Sequence, residues 1–137
     1  CTPFIVHWPN GLKRLENSIN NKAGHVMDIL PTCLELAGAD YPITVNGFKT
    51  SPPEGKNLMP VIHRKINTQH DTLFWEHEGG RAARIGDWKI SALKNKSWEL
   101  FNLAEDRTET NNLAAVHPDK VEKLALLWGD WYKSVNR

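Results

Sequence analysis

Residues 72–103 read TLFWEHEGGRAARIGDWKISALKNKSWELFNL, and this stretch decides the fold. Four short runs, Thr72 to Glu76, Arg81 to Ile85, Trp88 to Leu93 and Trp98 to Leu103, are β-prone. They are separated by Glu78-Gly79-Gly80, Gly86-Asp87 and Lys94 to Ser97, which carry turn residues, so the spacing predicts an antiparallel meander. In the third run Trp88, Ile90 and Ala92 fall on one face while Lys89 and Ser91 take the other, the pattern of a sheet with one covered side.

The cover follows in sequence. Pro118 suits a first helical position, Asp119 and Glu122 suit the positive end of a helix dipole, and Val121, Leu124, Trp128, Trp131 and Val135 step by three and four. Upstream, Asp28 is expected to cap a short, mostly buried helix on which Ile29, Leu30, Cys33, Leu34 and Ala37 share helical spacing and which Gly38 ends. Residues 10–24 read as a polar loop, residues 39–57 as an irregular crossing, and Leu58 to Ile62 as one further helical turn. Phe4 to Trp8 reads as a strand buried on both faces, the kind found in parallel sheets with neighbours on either side. Those neighbours are not in this sequence, which opens on Cys1 rather than Met, so the expectation is a piece of a larger fold.

Composition narrows the function classes. Seventeen Lys and Arg against 16 Asp and Glu leave a formal charge of +1, which gives no electrostatic footprint for nucleic acid. The apolar runs are too short to span a membrane, and no signal-peptide pattern is visible. Cys1 and Cys33 make neither a disulfide framework nor a paired zinc motif. Six tryptophans point instead to a core with aromatic anchors.

Several segments together resemble one family. Gly24 to Gly38 (GHVMDILPTCLELAG) resembles the sulfatase helix that opens with D-x-x-P-T and ends in L-A-G. Trp98 to Leu103 (WELFNL) with Glu105 to Ala114 (EDRTETNNLA) is similar to the E-L-Y-D-L and D-P-x-E-x-x-N-L-A signature of sulfatase C-terminal regions. Arg81 to Lys89 (RAARIGDWK) resembles the family's A-V-R-x-G-x-W-K hairpin, and Thr2 to Pro9 the strand before all of these. The four matches occur in the family's order, with the arylsulfatase branch nearest in character.

The resemblance implies an α+β fragment of an alkaline-phosphatase-like α/β sulfatase fold, with a four-stranded antiparallel sheet packed on a C-terminal helix. Residues 1–57 would be a strand, loop and helix of the main α/β domain, and residues 58–137 the C-terminal subdomain. Sulfatases hydrolyse sulfate esters with a formylglycine made from the cysteine of a C-x-P-S-R motif, beside a calcium ion, and the resemblance implies that both lie upstream of this segment. Cys1-Thr2-Pro3 begins like that motif, but Phe4 and Ile5 stand where Ser and Arg belong, so Cys1 is not the nucleophile and no catalytic residue or metal ligand is assigned here. The expected parent is an arylsulfatase-like sulfuric ester hydrolase acting on a sulfated small molecule or glycan, periplasmic or secreted by analogy. The fragment would be inactive alone and open to self-association through its uncovered apolar strand. Two other readings stay open: a free-standing glycan- or protein-binding module, and a phosphatase or phosphonate hydrolase of the same superfamily.

Glu76-His77-Glu78 lacks the spacing of a metal motif, since alternation on a strand separates His77 from the two glutamates. In sulfatases this hairpin borders the cleft, which makes His77, Glu78 and Arg81 the candidate substrate-binding residues; a glutamate could accept from a hydroxyl and Arg81 could meet an anion. His25 reads as a structural hydrogen-bonding residue, His7 as a core histidine, and Arg84 and Lys89 as solvated cross-strand charges that could pair with Glu76 or Glu99. Glu105 to Glu109 reads as a turn launching the last helix rather than a calcium loop. Asn95-Lys96-Ser97 matches a glycosylation acceptor by pattern.

Overall fold

A computed structural model describes residues 3–12, 15, 18–65 and 70–136. The chain forms two compact units, residues 1–69 and 70–137.

In the first unit a 3-10 turn, Val26–Asp28, leads into helix α1, Ile29–Ala37. Gly38 takes the left-handed conformation (φ 62°), and the amides of Gly38 and Ala39 return to the carbonyls of Glu35 and Leu34, which closes the helix. Asp28 does not cap α1 through its side chain, as the sequence suggests. Its carboxylate is fully buried and accepts instead from the amides of His25 (2.9 Å) and Lys56 (2.8 Å). Thr32 extends the same seam: its hydroxyl donates to the Asp28 carbonyl (2.6 Å) and accepts from the Leu58 amide (2.8 Å). The first and last residues of the D-x-x-P-T pattern therefore clip the Lys56 to Leu58 segment onto the start of α1. That segment then makes the short helix α2, Met59–Ile62, with Leu58 and Val61 buried. Through these contacts residues 58–65 group with the first unit, whereas the sequence reading began the second unit at 58.

Three expectations for this unit are corrected. Residues 39–57 contain a hairpin, β1 Thr44–Val45 and β2 Phe48–Lys49, turned by Asn46 and Gly47, both at positive φ. Asn-Gly between β-prone residues is a strong hairpin signal, and here it prevails over the surrounding prolines. Helix α1 is not mostly buried, because Thr32 is its one buried residue and Ile29, Leu30 and Leu36 are exposed. Phe4 to Trp8 is not a strand, and its side chains, His7 included, lie exposed. A strand needs a partner for its backbone groups, and no described residue pairs with this segment.

The second unit is the expected meander: β3 Thr72–His77, β4 Gly80–Ile85, β5 Trp88–Ala92 and β6 Glu99–Asn102, antiparallel in sequence order. Register places Phe74, Ala83, Ile90 and Leu100 in one rung across all four strands. Leu124 of helix α3, Pro118–Val135, closes over that rung, flanked by Val121, Ala125 and Trp128. Pro118 begins the helix as its sequence position suggests, but Val135 is exposed near its end. Leu73, Ala82 and Phe101 on the opposite face are buried as well, so the sheet does not have a single covered side. Lys89 and Ser91, from which the one-sided pattern is read, do not represent the other strands.

Tryptophans join the helix to the sheet. Trp131 stacks on Phe74 with centroids 5.3 Å apart, and Trp128 meets Trp98 edge-on at 5.7 Å. The Trp128 indole Nε1–H donates to the carbonyl of Trp75 on the edge strand (3.0 Å). Trp128→Phe keeps most of the apolar surface but leaves that carbonyl without its indole donor. It is expected to lower stability by about 1 kcal/mol, read from the urea midpoint at unchanged slope.

Candidate functional site at the first hairpin of the sheet

The hairpin joining β3 to β4 turns at Glu78 (φ 51°) and Gly79 (φ 84°), so the two-residue loop is Glu78-Gly79 and Gly80 already belongs to β4. Positive φ at both positions matches the right-handed twist of the strands, and Glu78 adopts it without being glycine. Glu76 Oε1 accepts from the Gly79 amide (2.9 Å) and braces the turn.

The three sequence-predicted substrate residues are neighbours in the chain but point different ways. Arg81 is the cross-strand partner of Glu76, on the face that carries α3. Its guanidinium lies 4.5 Å from the Trp98 ring centroid and donates through Nη2 to the Lys96 carbonyl (3.0 Å). His77, paired with Gly80, lies by alternation on the opposite face and is exposed; Glu78 is exposed at the tip. Arg81 instead shares a shallow groove of about 310 Å³ with Glu76, Gly79, Lys94, Trp128 and Tyr132. The sequence reading did not associate Lys94 and Tyr132 with this site. The signal was the i, i+4 spacing of Trp128 and Tyr132, whose rings stack at 4.8 Å on one helix face.

Among the described residues no three His, Cys, Asp or Glu side chains gather as metal ligands, and Cys33 is a free, exposed thiol on α1. Among the described residues none fits the calcium and formylglycine that the family resemblance places upstream of this segment. Cys1 and Thr2, the start of the near-miss motif, lie outside the described residues.

The other family-like segments are structural. Asp106 gathers the amides of Thr110 and Asn111 (each 2.8 Å) and the hydroxyls of Thr108 (3.1 Å) and Thr110 (3.3 Å). The Asn111 N–H is the largest cause that holds its carboxyl below the ordinary value of 3.8. Glu109 grips Lys89 of β5 with both oxygens (2.6 and 2.8 Å), so Lys89 pairs with neither Glu76 nor Glu99. Arg84 donates to the carbonyl of Gly86 rather than to a carboxylate. Asn112 Oδ1 accepts from the amides of Leu100 (3.1 Å) and Ala114 (2.9 Å), and the Leu113 amide bonds the Leu100 carbonyl (2.8 Å). Glu and Asn of the D-x-x-E-x-x-N pattern thus lace the loop onto strands β5 and β6, while its Asp braces the loop from within. His25 is structural too, its Nδ1 accepting from the Met27 amide (3.3 Å).

A lowered folded-state pKa means that Asp106 stabilises the loop fully above pH 3.8, and that this contribution fades as pH falls through the lower folded value. Asp106→Ala is expected to lower the melting temperature at pH 7 and to narrow its gap from the parent as pH drops below 3.8. An equal gap at all pH values would contradict the assignment.

No protein-family model matches the chain. It is 35% identical over 133 residues to an uncharacterised sulfatase of Schizosaccharomyces pombe, with 92% of this chain and 24% of that protein covered. It is 32% identical over 112 residues to arylsulfatase K of Danio rerio, with 72% and 20% covered. Among solved structures, one of a protein in complex with its substrate D-glucosamine-2-N,6-O-disulfate superposes with a TM-score of 0.54 at 24% identity, covering 77% of this chain and 23% of that one. The chain spans about a quarter or less of the length of these relatives. The chain belongs to the sulfatase family, matching the C-terminal part of its members.

Proposed function

We propose that the chain is the C-terminal part of an arylsulfatase-like sulfuric ester hydrolase that acts on a sulfated small molecule or glycan, and that it is inactive by itself. The observation that carries this reading is the match of 92% of the chain to one quarter of a sulfatase. Two features of the molecule support it. The chain gathers no metal-ligand cluster among its described residues, and Cys33 is a free, exposed thiol on α1. The first unit also exposes large apolar side chains, among them Phe4, Ile5, Ile43 and Phe48, as a segment built to pack on further polypeptide would. In this reading the chain contributes scaffold and a substrate rim, with His77, Glu78 and Arg81 as rim residues.

The test compares the 137-residue chain with a longer protein that carries it, matured in a host that makes formylglycine. The chain alone should leave 4-nitrophenyl sulfate and sugar sulfates intact, and the longer protein should hydrolyse one of them. Turnover by the 137-residue chain, or a preference of the longer protein for phosphate or phosphonate esters, would overturn the proposal.

A further inference from the structure

The groove between the β3–β4 turn, the β5–β6 loop and α3 combines two chemistries. One is an aromatic surface. Tyr132 stacks one face on Trp128 at 4.8 Å with an interplanar angle of 15°, and is 37% exposed, so part of its surface is open to solvent. The other is unneutralised positive charge. Glu76 is the cross-strand neighbour of Arg81, yet its carboxylate accepts from the Gly79 amide, and no carboxylate forms an ion pair with Arg81 or Lys94 among the described residues. The Arg81 guanidinium is held in place by the Trp98 ring and the Lys96 carbonyl, neither of which cancels its charge. Lys94 lies over the turn, where a Cβ on Gly79 would come within 2.9 Å of its Cγ.

From this arrangement we propose that the groove binds one anionic saccharide unit, the sugar ring resting on Tyr132 and its sulfate or carboxylate meeting Arg81 and Lys94. A flat aromatic face receives the C–H surface of a pyranose ring, whereas a guanidinium and an ammonium lining the same groove select for an anionic substituent. Glu76, with one oxygen committed to the turn, leaves the other available to accept from a ring hydroxyl. The groove is shallow, which suits one sugar of a chain rather than an enclosed small molecule. This deepens the substrate reading above, with which it shares Arg81, and replaces His77 and Glu78 by Lys94 and Tyr132 as its companions.

Direct binding by the 137-residue chain tests it without any hydrolysis. Nitrogen-15 spectra are followed during titration with glucose 6-sulfate, with glucose and with inorganic sulfate. The indole N–H signals of Trp128 and Trp98 should move saturably with glucose 6-sulfate, and at least about fivefold higher concentrations of glucose or sulfate should be needed, since each supplies half of the recognition. Lys94→Ala and Tyr132→Ala change exposed side chains and should fold normally, and each should weaken glucose 6-sulfate binding roughly fivefold or more. Absence of saturable shifts, equal binding of inorganic sulfate, or parent-like binding by both variants would overturn the assignment. Failure here with sulfate-ester hydrolysis intact in the longer protein would reject the groove alone; the reverse would reject the enzymatic reading and leave the groove.

Discussion

Gly55→Ala is expected to destabilise the first unit by about 3 kcal/mol or more, a cost at the upper end for overpacking because backbone, not a side-chain tip, is in the way. Gly55 runs so close to the turn before α1 that a Cβ would overlap the Met27 carbonyl and come within 2.8 Å of the Asp28 amide nitrogen. The segment cannot retreat cheaply, because the next residues are tied down by the Lys56 amide on the Asp28 carboxylate and the Leu58 amide on the Thr32 hydroxyl. Moving them leaves a fully buried carboxylate short of a donor, with a further penalty of about 1–3 kcal/mol. Amide hydrogen exchange at Lys56 and Leu58 is the direct readout, and protection equal to the parent would refute the close packing. Gly129→Ala is the informative contrast. That glycine sits within α3 with nothing within 4 Å of the added methyl, and alanine there should stabilise the helix by up to about 1 kcal/mol.

In the second unit the largest effect is expected from Ile90→Ala. Ile90 is completely buried in the middle of the rung that runs from Phe74 through Ala83 to Leu100 under Leu124. Truncation removes most of the side chain from a place where small Ala83 on one side cannot fill the gap. The loss should be about 2–5 kcal/mol, visible as a lower denaturant midpoint of the tryptophan fluorescence transition. A loss below about 1 kcal/mol would mean that α3 can settle onto the sheet and that the rung is looser than it looks. Ile90→Val, which removes one methylene, should cost only about 0.5–1.5 kcal/mol at the same site.

The segments with local chemistry were the legible ones. Gly86, Pro118 and Gly38 act where their backbone preferences place them, and the four strands lie within a residue or two of their apolar runs. Asn46-Gly47 carried an equally local signal that the prolines nearby obscured. What could not be read locally was the destination of each polar side chain. Asp28 looks like a cap in sequence and is an anchor for Lys56, 28 residues away. Glu109 looks like one more acidic loop residue and holds Lys89 on β5. The candidate site shows the same division: Arg81 is recognisable as a strand residue beside a turn, but its Trp98 and Lys96 partners and its groove neighbours Lys94 and Tyr132 come from other elements.

Sequence alone determined the order of elements, the meander, the covering helix and the family resemblance, because periodicity, turn residues and motif spacing act over a few neighbouring positions. Tertiary structure decided which face each hairpin residue presents, which acids serve as staples, and that Phe4 to Trp8 lies exposed instead of forming a strand. The reason is physical. A buried carboxylate or an extended backbone is stabilised only by the particular donors that folding brings to it, and those donors lie at distances along the chain that no local pattern encodes.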